Sequence, residues 1–441
     1  MDKRVYELNG RPDMKDSVVF GLQHVLAMFV GNIAPVIIVC NALNLPVETQ
    51  IKMIQCAMFV AGVATLFQLY PIGPIGAKLP IVMGTSFTFV PTAIAIGIKY
   101  GFSAVMGACL VSGIVIAFFG LFLKSFRKYF SSVVIGTVVL SIGLSLLPVG
   151  MNYFAGGQGA ADFGSPSNLL LGFIVLAIVL YFSMFRKDGS SSAAILIGIS
   201  VGYIVAAFMG KLNLSQIVSA SWISIPMPFE FGISFHADAI VSMLIVFAIS
   251  AMETIGNVSA IALGGLNREI TDKELSGGVV ADAVGSSFAS IFGVLPNSAF
   301  GQNVSIITMT KVVNRFSIAT GAGILILGGL FPKVGSLIAI MPASVLGGAA
   351  IIMFAMIVIA GVRMITMEPL DNRSSMIVAV ALGLGFGVGM VPGALNVFPE
   401  WLKMVFGSSG VANAGMIAFV LNLILPKEQK AEKVDLVQEA V

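Results

Sequence analysis

The chain of 441 residues is 57% hydrophobic and only 10% charged, and it carries a formal net charge of +3 at pH 7. Soluble globular domains carry roughly 25% charged residues, so this composition excludes an ordinary soluble protein and predicts an all-α polytopic membrane protein. The basic residues are spread over the loops instead of forming one patch, which argues against a nucleic-acid partner.

Apolar runs long enough for a helix to cross about 30 Å of hydrocarbon recur along the whole chain. Twelve such runs begin near Val18, Ile51, Ala104, Ser132, Leu169, Ala193, Ile240, Val279, Ile318, Ser344, Met376 and Val411. Two further segments, Pro80–Phe89 and Pro296–Thr310, are apolar but interrupted by proline and glycine. Together these segments predict about fourteen membrane spans.

The two interrupted segments correspond to each other and lie about 216 positions apart. In each we expect a short strand after the proline and then a glycine, Gly84 or Gly301, that opens a short helix. Extended backbone at membrane depth is tolerated only where protein or a watery cavity satisfies its polar groups. Corresponding broken segments in two halves of a membrane protein indicate the substrate site of a transporter, with positive helix ends directed at the ligand.

This spacing divides the chain into two repeats of seven spans each, at residues 16–212 and 235–426. A polar connector at 213–234 joins them, and tails at 1–15 and 427–441 flank them. An odd number of spans per half inverts the second half relative to the first, which is an inverted repeat. Spans rich in glycine and proline are common in other membrane bundles, so the correspondence alone leaves an unrelated bundle open.

The distribution of basic residues predicts the orientation in the membrane. If the N-terminus is cytoplasmic, nineteen of the 24 Lys and Arg residues fall on the cytoplasmic side. Since cytoplasmic loops carry the excess of Lys and Arg, we expect a multi-pass protein of the cytoplasmic membrane with both termini in the cytoplasm.

Glu253 and Asp282 are acidic residues that lie inside apolar runs. An ionisable group at the centre of a membrane helix costs about 2.5 to 3.5 kcal/mol and indicates a functional site. A carboxyl in apolar surroundings tends to hold its proton and to release it when a hydrogen-bond donor arrives, as proton coupling requires. The alternative for both residues is a structural, hydrogen-bonded carboxyl, which for Asp282 would tether a neighbouring helix.

Side chains at the two interruptions are suited to a flat heterocyclic ligand. The amides of Gln302 and Asn303 offer donors and acceptors that pair with alternating N–H and C=O edges. Ser86 and Phe87 occupy the matching break, where an aromatic face stacks on a flat ring at about 1 to 3 kcal/mol per base. The alternative for Phe87 is ordinary packing, and the alternative for His24 in the first span is a hydrogen-bonding strut.

Signatures of enzymes and metal sites are not found in the sequence. Cys40, Cys56 and Cys109 have neither metal-binding nor redox spacing and are expected to be packing residues. We also find no phosphate-binding loop, no His or Cys cluster and no nucleophile elbow. We therefore expect neither an enzyme nor a bound cofactor or metal, and the coupling ion is expected to be a proton, with sodium left open.

The chain resembles the nucleobase-ascorbate transporter family over essentially its whole length. The family signature is Gln or Glu, Asn, any residue, Gly, four residues, Thr, and then Arg, Lys or Gly. Residues Gln302–Lys311 (QNVSIITMTK) follow it, with Ser305 in place of the usual glycine. Further family motifs are QH at Gln23 and His24, GTSF at Gly84–Phe87, ExxG at Glu253–Gly256 and AD at Ala281 and Asp282.

The resemblance implies fourteen spans divided into a core and a gate domain, a homodimer, and a ligand held between the third and tenth spans. Glu253 would bind a ring N–H and mediate coupling, Gln302 at the helix start after Gly301 would be the second contact, and Phe87 would stack beside Ser86. The supporting polar residues would be His24, Asn257, Asp282, Asn303 and Thr310. Of these, Asn257 stands where family members often carry Asp or His, which bears on the proton relay.

The resemblance also implies a substrate class. In the family, Glu at the first signature position goes with uracil transport and Gln with xanthine and urate, so Gln302 favours an oxidised purine, xanthine or uric acid, in symport with a proton. A uracil or other pyrimidine permease is the alternative. An anion transporter of the same architecture is disfavoured, because Gln302 stands where such proteins carry a basic residue and Glu253 opposes anions.

Overall fold

The structure is a computed structural model that describes residues 2–123, 131–157, 159–185, 193–212, 217–218, 220–367, 369–407 and 409–426. The predicted tail at 427–441 and part of the predicted connector lie outside these residues. So do basic residues on which the predicted orientation depends, namely Lys124, Arg127, Lys128, Arg186, Lys187, Lys427, Lys430 and Lys433. The orientation and the domain boundaries therefore stay predictions.

The described chain is mostly helical, with two short strands. In chain order the elements are α1 (Met14–Ala42), α2 (Val47–Leu69), β1 (Met83–Thr85), α3 (Val90–Tyr100), α4 (Phe102–Leu121), α5 (Ser132–Phe154), α6 (Pro166–Phe185), α7 (Ala194–Phe208), α8 (Ala237–Ala260), α9 (Asp272–Ile291), β2 (Asn297–Ala299), α10 (Gly301–Thr310), α11 (Arg315–Gly328), α12 (Pro332–Ala339), α13 (Ala343–Ile365), α14 (Asn372–Val380), α15 (Glu400–Gly407) and α16 (Gly410–Ile424). Two helices continue into wider π-helical turns, α8 at Ile261–Gly265 and α14 at Ala381–Phe386, and a short helical segment at Gly387–Met390 follows the second turn. Each of the twelve predicted apolar runs coincides with one of these helices.

Among the described residues, eight helices are long and apolar enough to cross a membrane. The helices α11 and α12, which meet at a bend of 82°, raise that number to nine if they count as one span. Several other apolar helices are shorter, including α7 and α16. Helices form their backbone hydrogen bonds internally, which is necessary in a bilayer core that contains no water. The predicted class of a multi-pass helical membrane protein is therefore confirmed. The count of fourteen spans stays a prediction.

The helices pack in two groups. In the first group α1 and α2 pack against α11, while α4 packs against α8 and α9. In the second group α13 packs against α5, α6 and α7, and α16 packs against α5 and the end of α14. Glycines bring α13 and α5 together, since a Cβ on Gly347 or Gly361 would lie 2.1 or 2.4 Å from a backbone nitrogen of α5. Small residues at helix interfaces are typical of membrane bundles.

The contacts in the first group are reciprocal between the two halves of the sequence. Helix α4 of the first half packs on α8 and α9, and α11 of the second half packs on α1 and α2. This reciprocity is what an inverted repeat would produce, and the division into a core and a gate stays a prediction. The seven-plus-seven repeat itself stays a prediction.

The two predicted breaks pair with each other as antiparallel strands. Met83 lies opposite Ala299, Gly84 opposite Ser298 and Thr85 opposite Asn297. The backbone nitrogen of Ser86 donates to Pro296 at 2.9 Å and that of Phe300 donates to Val82 at 3.0 Å, which extends the pairing at both ends. The expected strands are therefore present, and each satisfies the backbone of the other.

The expectation that Gly84 opens a helix is wrong. Gly84 is the middle residue of β1, and helical backbone starts only with a 3₁₀ turn at Phe87–Phe89 that leads into α3. The side chain of Ser86 starts this turn by accepting a hydrogen bond from the Thr88 nitrogen at 3.3 Å. In the second half Gly301 does open α10 as expected.

Gly84 is required for close packing of the Phe300 side chain. A Cβ on Gly84 would lie 2.6 Å from the Phe300 ring, and a Cβ on Gly31 of α1 would lie 2.8 Å from the same ring. The ring therefore lies between two glycines, one in β1 and one in α1. This packing attaches the end of β2 to the first helix.

We predict that Gly84→Ala destabilises the protein by about 1 to 3 kcal/mol, because the added methyl group overpacks the Phe300 site. Thermal unfolding of the purified protein measures the effect. Gly323→Ala in α11 is the matched control, since a Cβ there meets no atom within 4 Å. The control is expected to be neutral or slightly stabilising, and an equal melting temperature for both variants would contradict the packing role of Gly84.

Candidate functional site

Glu253 in α8 contacts the segment that follows β1. The hydroxyl of Thr88, in the 3₁₀ turn after the first break, donates to Glu253 Oε2 at 3.1 Å. The Glu253 side chain is half-buried, and Thr88 is buried. The carboxyl that was singled out from the sequence is therefore directly attached to the first broken segment.

Asn257 attaches the second broken segment to the same helix. It lies one turn after Glu253, so the two side chains share a face of α8. Its amide nitrogen donates to the Ala299 carbonyl in β2 at 2.8 Å. Its amide oxygen lies 3.6 Å from the position that a Cβ on Gly301 would take. Asn257 is thus a structural link between α8 and the start of α10, and both breaks meet on one face of α8.

Gln302 lies in the first turn of α10, next to this junction. The residue is half-buried and the preceding Gly301 is exposed. Within the described part of the chain the structure records no hydrogen bond for the Gln302 amide, so both its donor and its acceptor are available. The backbone N–H groups of this first turn add partial positive charge beside it.

Phe87 and Ser86 are both buried in the turn after β1. The Phe87 ring packs edge-to-face on Phe354 of α13, with ring centroids 5.1 Å apart and an angle of 84° between the planes. Ser86 caps the turn, as described above. The Phe87 ring therefore packs against another ring on one side, as the alternative of ordinary packing predicted. Phe87 also lies where the two helix groups meet.

His24 and Asn303 form a buried pair that joins α1 to α10. The Asn303 amide nitrogen donates to His24 Nδ1 at 2.9 Å and to the His24 carbonyl at 3.0 Å. Since the amide nitrogen is a donor, Nδ1 accepts and the ring proton lies on Nε2 in this arrangement. These contacts support the alternative in which His24 is a strut, and they give Asn303 the same role.

Asp282 joins α9 to α8. Thr254, the residue after Glu253, donates its hydroxyl to Asp282 Oδ2 at 2.9 Å. Asp282 is buried and its second oxygen, Oδ1, has no partner among the described residues. Asp282 therefore tethers α9 to α8, which is the structural alternative that the sequence analysis left open.

Thr310 lies at the far end of α10 from Gln302. Its hydroxyl donates to the Ile306 carbonyl at 2.8 Å and accepts from the Val312 nitrogen at 3.3 Å. At 1.5 Å of rise per residue, eight residues of helix separate it from Gln302 by about 12 Å. Thr310 shapes the end of α10 and is not brought to the junction.

The sequence analysis missed several side chains that hold the broken segments. Asn32 accepts from the Thr85 nitrogen at 2.8 Å, Thr65 accepts from the Met83 nitrogen at 2.9 Å, and Ser286 exchanges two bonds of 3.0 Å with the Asn297 backbone. The available signal was a polar residue inside an apolar run, which Asn32 and Thr88 both show. That signal does not show which backbone group of the broken segments each side chain binds.

Two cavities lie away from this junction. One, of about 750 Å³, is lined by the loop after α2, the start of α9 and Arg315. The other, of about 340 Å³, is apolar and lies between α1, α7 and α12. Across the residues that the structure describes, no group of three His, Cys, Asp or Glu side chains is placed to hold a metal ion.

The sequence matches the Permease family over residues 15–394. It is 39% identical over 423 residues to the xanthine permease of Bacillus subtilis (strain 168), covering 95% of each chain. It is 37% identical over 414 residues to the uric acid permease PucK of the same organism, covering 93% of this chain and 96% of that protein.

The fold is similar to a solved structure as well. The transmembrane domain of the cyanobacterium bicarbonate transporter BicA matches with a TM-score of 0.57, covering 93% of this chain and 97% of that one. The two sequences are 15% identical, so this similarity concerns the fold alone.

We predict that Asn257→Leu destabilises the protein by about 1 to 3 kcal/mol, because it removes the donor to the Ala299 carbonyl and leaves that carbonyl buried without a partner. Thermal unfolding measures the loss. Asn257→Asp is the matched control, since a protonated carboxyl in that position still donates to the carbonyl. Equal stability of Asn257→Leu and the parent protein would contradict the linking role of Asn257.

Proposed function

The chain belongs to the permease family of nucleobase-ascorbate transporters, and from that membership we propose that it carries an oxidised purine, xanthine or uric acid, across the cytoplasmic membrane in symport with a proton. As a member of that family it is a multi-pass membrane permease and not an enzyme. The substrate, the coupling ion, the homodimer and the cytoplasmic position of the termini are parts of the proposal.

One observation carries the proposal: both broken segments attach to the same face of α8. Thr88 contacts Glu253 and Asn257 contacts Ala299, so the carboxyl of Glu253 and the first turn of α10 belong to one junction. Paired broken segments at membrane depth are the usual place of a transporter's substrate site. We therefore place the ligand against Glu253 and Gln302, with Phe87 beside it.

The chemistry of this junction supports a purine with N–H and C=O groups on adjacent edges. The Gln302 amide supplies one donor and one acceptor in a plane, and a lactam edge presents the complementary pair. The Glu253 carboxyl accepts a hydrogen bond from a ring N–H. The similar proteins named xanthine permease and uric acid permease support the same substrate class.

Proton coupling in this proposal uses the Glu253 carboxyl. One carboxyl oxygen accepts from Thr88, and no ion pair with a described Lys, Arg or His is recorded for Glu253. In symport the protonated carboxyl carries its proton inward together with the substrate and releases it when water, as a hydrogen-bond donor, reaches it from the cytoplasmic side. Inward movement of one proton gains about 2.3 kcal/mol per 100 mV of membrane potential, enough to drive accumulation of a neutral base.

Transport would proceed by movement of the first helix group against the second. The Phe87–Phe354 contact crosses between the two groups, so it would change when they move. Such movement of one repeat-based body against another exposes the site to each side in turn. Anion transport by the same fold is disfavoured, because the first turn of α10 carries the neutral Gln302.

A panel of bases tests the substrate and the site together. We predict that xanthine or uric acid raises the melting temperature of the purified protein more than uracil or adenine does. A ligand at 100 times its Kd stabilises by about 2.7 kcal/mol. Glu253→Gln should lose this stabilisation for every base, and Gln302→Glu should shift the preference toward uracil.

Glu230→Gln is the matched control for this panel, because Glu230 is an acid in the connector that pairs with Lys52 at the surface. It should respond to bases like the parent protein. Unchanged stabilisation in both Glu253→Gln and Gln302→Glu would remove these residues from the site.

Uptake experiments test the coupling ion. We predict that a protonophore abolishes accumulation of labelled substrate in cells, that replacement of sodium by choline does not, and that initial uptake falls as external pH rises. The reason is that inward transport requires a proton from the outside. Accumulation that survives the protonophore but needs sodium would reject proton coupling and leave the substrate assignment intact.

A further inference from the structure

Residues 2–13, which precede α1, are an ordered part of the fold and are called the N-terminal strap below. Lys3–Tyr6 form a 3₁₀ turn, and Asp2 caps it by accepting from the Arg4 nitrogen at 3.0 Å. Hydrogen bonds from the Arg4 side chain and backbone lower the pKa of Asp2 below its usual range. Val5 is fully buried. The strap is thus docked on the protein by an apolar contact.

Asn314 holds the strap through a single buried side chain. Its amide nitrogen faces three backbone carbonyls of the strap, those of Arg4 at 3.2 Å, Glu7 at 2.8 Å and Gly10 at 2.9 Å. Its amide oxygen accepts from the Ser317 nitrogen at 2.9 Å and so caps α11. The side chain is fully buried. Asn314 therefore fixes the strap and the start of α11 relative to each other.

The neighbouring Arg315 adds further contacts to the same place. Its backbone nitrogen donates to the Leu8 carbonyl at 3.2 Å, and its guanidinium donates to the Asn9 side chain and to the Leu69 carbonyl at the end of α2. The strap is thus joined to α2 and α11 at once.

These contacts bear on Gln302 because only four residues separate α10 from α11. The linker begins at Lys311, which ends α10 in the left-handed conformation with φ of 59°. Val312 and Val313 are buried, and Asn314 is the last linker residue. The other end of α10 is held by the Asn303–His24 pair on α1. The helix that carries Gln302 is therefore fixed at both ends by α1 and the strap that leads into α1.

We propose that the N-terminal strap acts on substrate binding and that Asn314 is a positioning residue, which sets the axis of α10 and through it the place of the Gln302 amide. This inference rests on the proposed function. A displacement of about 1 Å at a recognition group costs up to about 100-fold in productive binding, so a loosened linker weakens substrate recognition.

The test is Asn314→Asp in the full-length protein, with KM and maximal uptake of labelled xanthine and hydrogen exchange of residues 301–314 as the measurements. The substitution is isosteric and keeps the oxygen that caps α11. It replaces the amide nitrogen, a donor, by a carboxyl oxygen, an acceptor, which faces the three carbonyls of the strap. We expect KM to rise about 10-fold or more, maximal uptake per molecule in the membrane to be retained, and exchange in 301–314 to become faster.

Asn168→Asp is the matched control. Asn168 is a buried amide at the start of α6 whose nitrogen donates to the Asp162 carbonyl at 2.8 Å, so it makes the same kind of contact in the other helix group. The control should change neither KM nor exchange in 301–314. A similar rise of KM in Asn168→Asp would overturn the specific role of the strap.

Unchanged KM and unchanged exchange in Asn314→Asp would also overturn the inference. If that variant does not fold, Val5→Ala decides, because it weakens the docking of the strap and leaves the cap of α11 intact. A smaller shift in the same direction supports the inference, and no shift overturns it. If the parent protein takes up neither xanthine nor uric acid, the proposed function fails, and the exchange comparison then decides only whether the strap and Asn314 position α10.

Discussion

The antiparallel pairing of β1 with β2 is the constraint on which the rest of the structure depends. Extended backbone within a membrane bundle has no water to bond, so its N–H and C=O groups must find partners in the protein. Here the two breaks supply most of these partners to each other, and side chains of Thr65, Asn32 and Ser286 supply more. Neither break is satisfied without the other, which forces the two halves of the chain to meet at this point.

The pairing of the two strands determines which residues lie around them. The Phe300 ring fits only because Gly31 and Gly84 leave room for it, and this fixes α1 against both strands. Helix α8 then contacts both breaks through Glu253 and Asn257. The start of α10 is placed by the end of β2, so the position of Gln302 follows from the strand register. The positions of Glu253 and Gln302 therefore follow from the hydrogen bonding of the strand backbone and from the packing at the glycines.

Much of this arrangement could be predicted from local sequence. Apolar runs gave the helices, because length and hydropathy are local properties, and proline with glycine gave the breaks and the start of α10 at Gly301. Gly84 was assigned the wrong role because a glycine that opens a helix and one that admits a neighbouring ring look alike in sequence. Thr88 and Asn314 were missed because their partners lie 165 and about 300 residues away. Hydrogen bonds of that kind depend on the packing of whole helices.

The polar residues near the junction differ in how many hydrogen bonds they make within the protein and in how deeply they are buried. Asn303 and His24 bond to each other between two helices, Asn257 donates to strand β2, and Asp282 accepts from Thr254. A group that is bonded within the fold cannot also bind a ligand without breaking that bond, at about 0.5 to 1.5 kcal/mol or more for each. Glu253 also uses one oxygen, and the Gln302 amide uses none among the described residues. These two side chains are half-buried, whereas the other four are buried. In the proposed function, recognition of the ligand therefore falls mainly on these two side chains, while the others keep them in place.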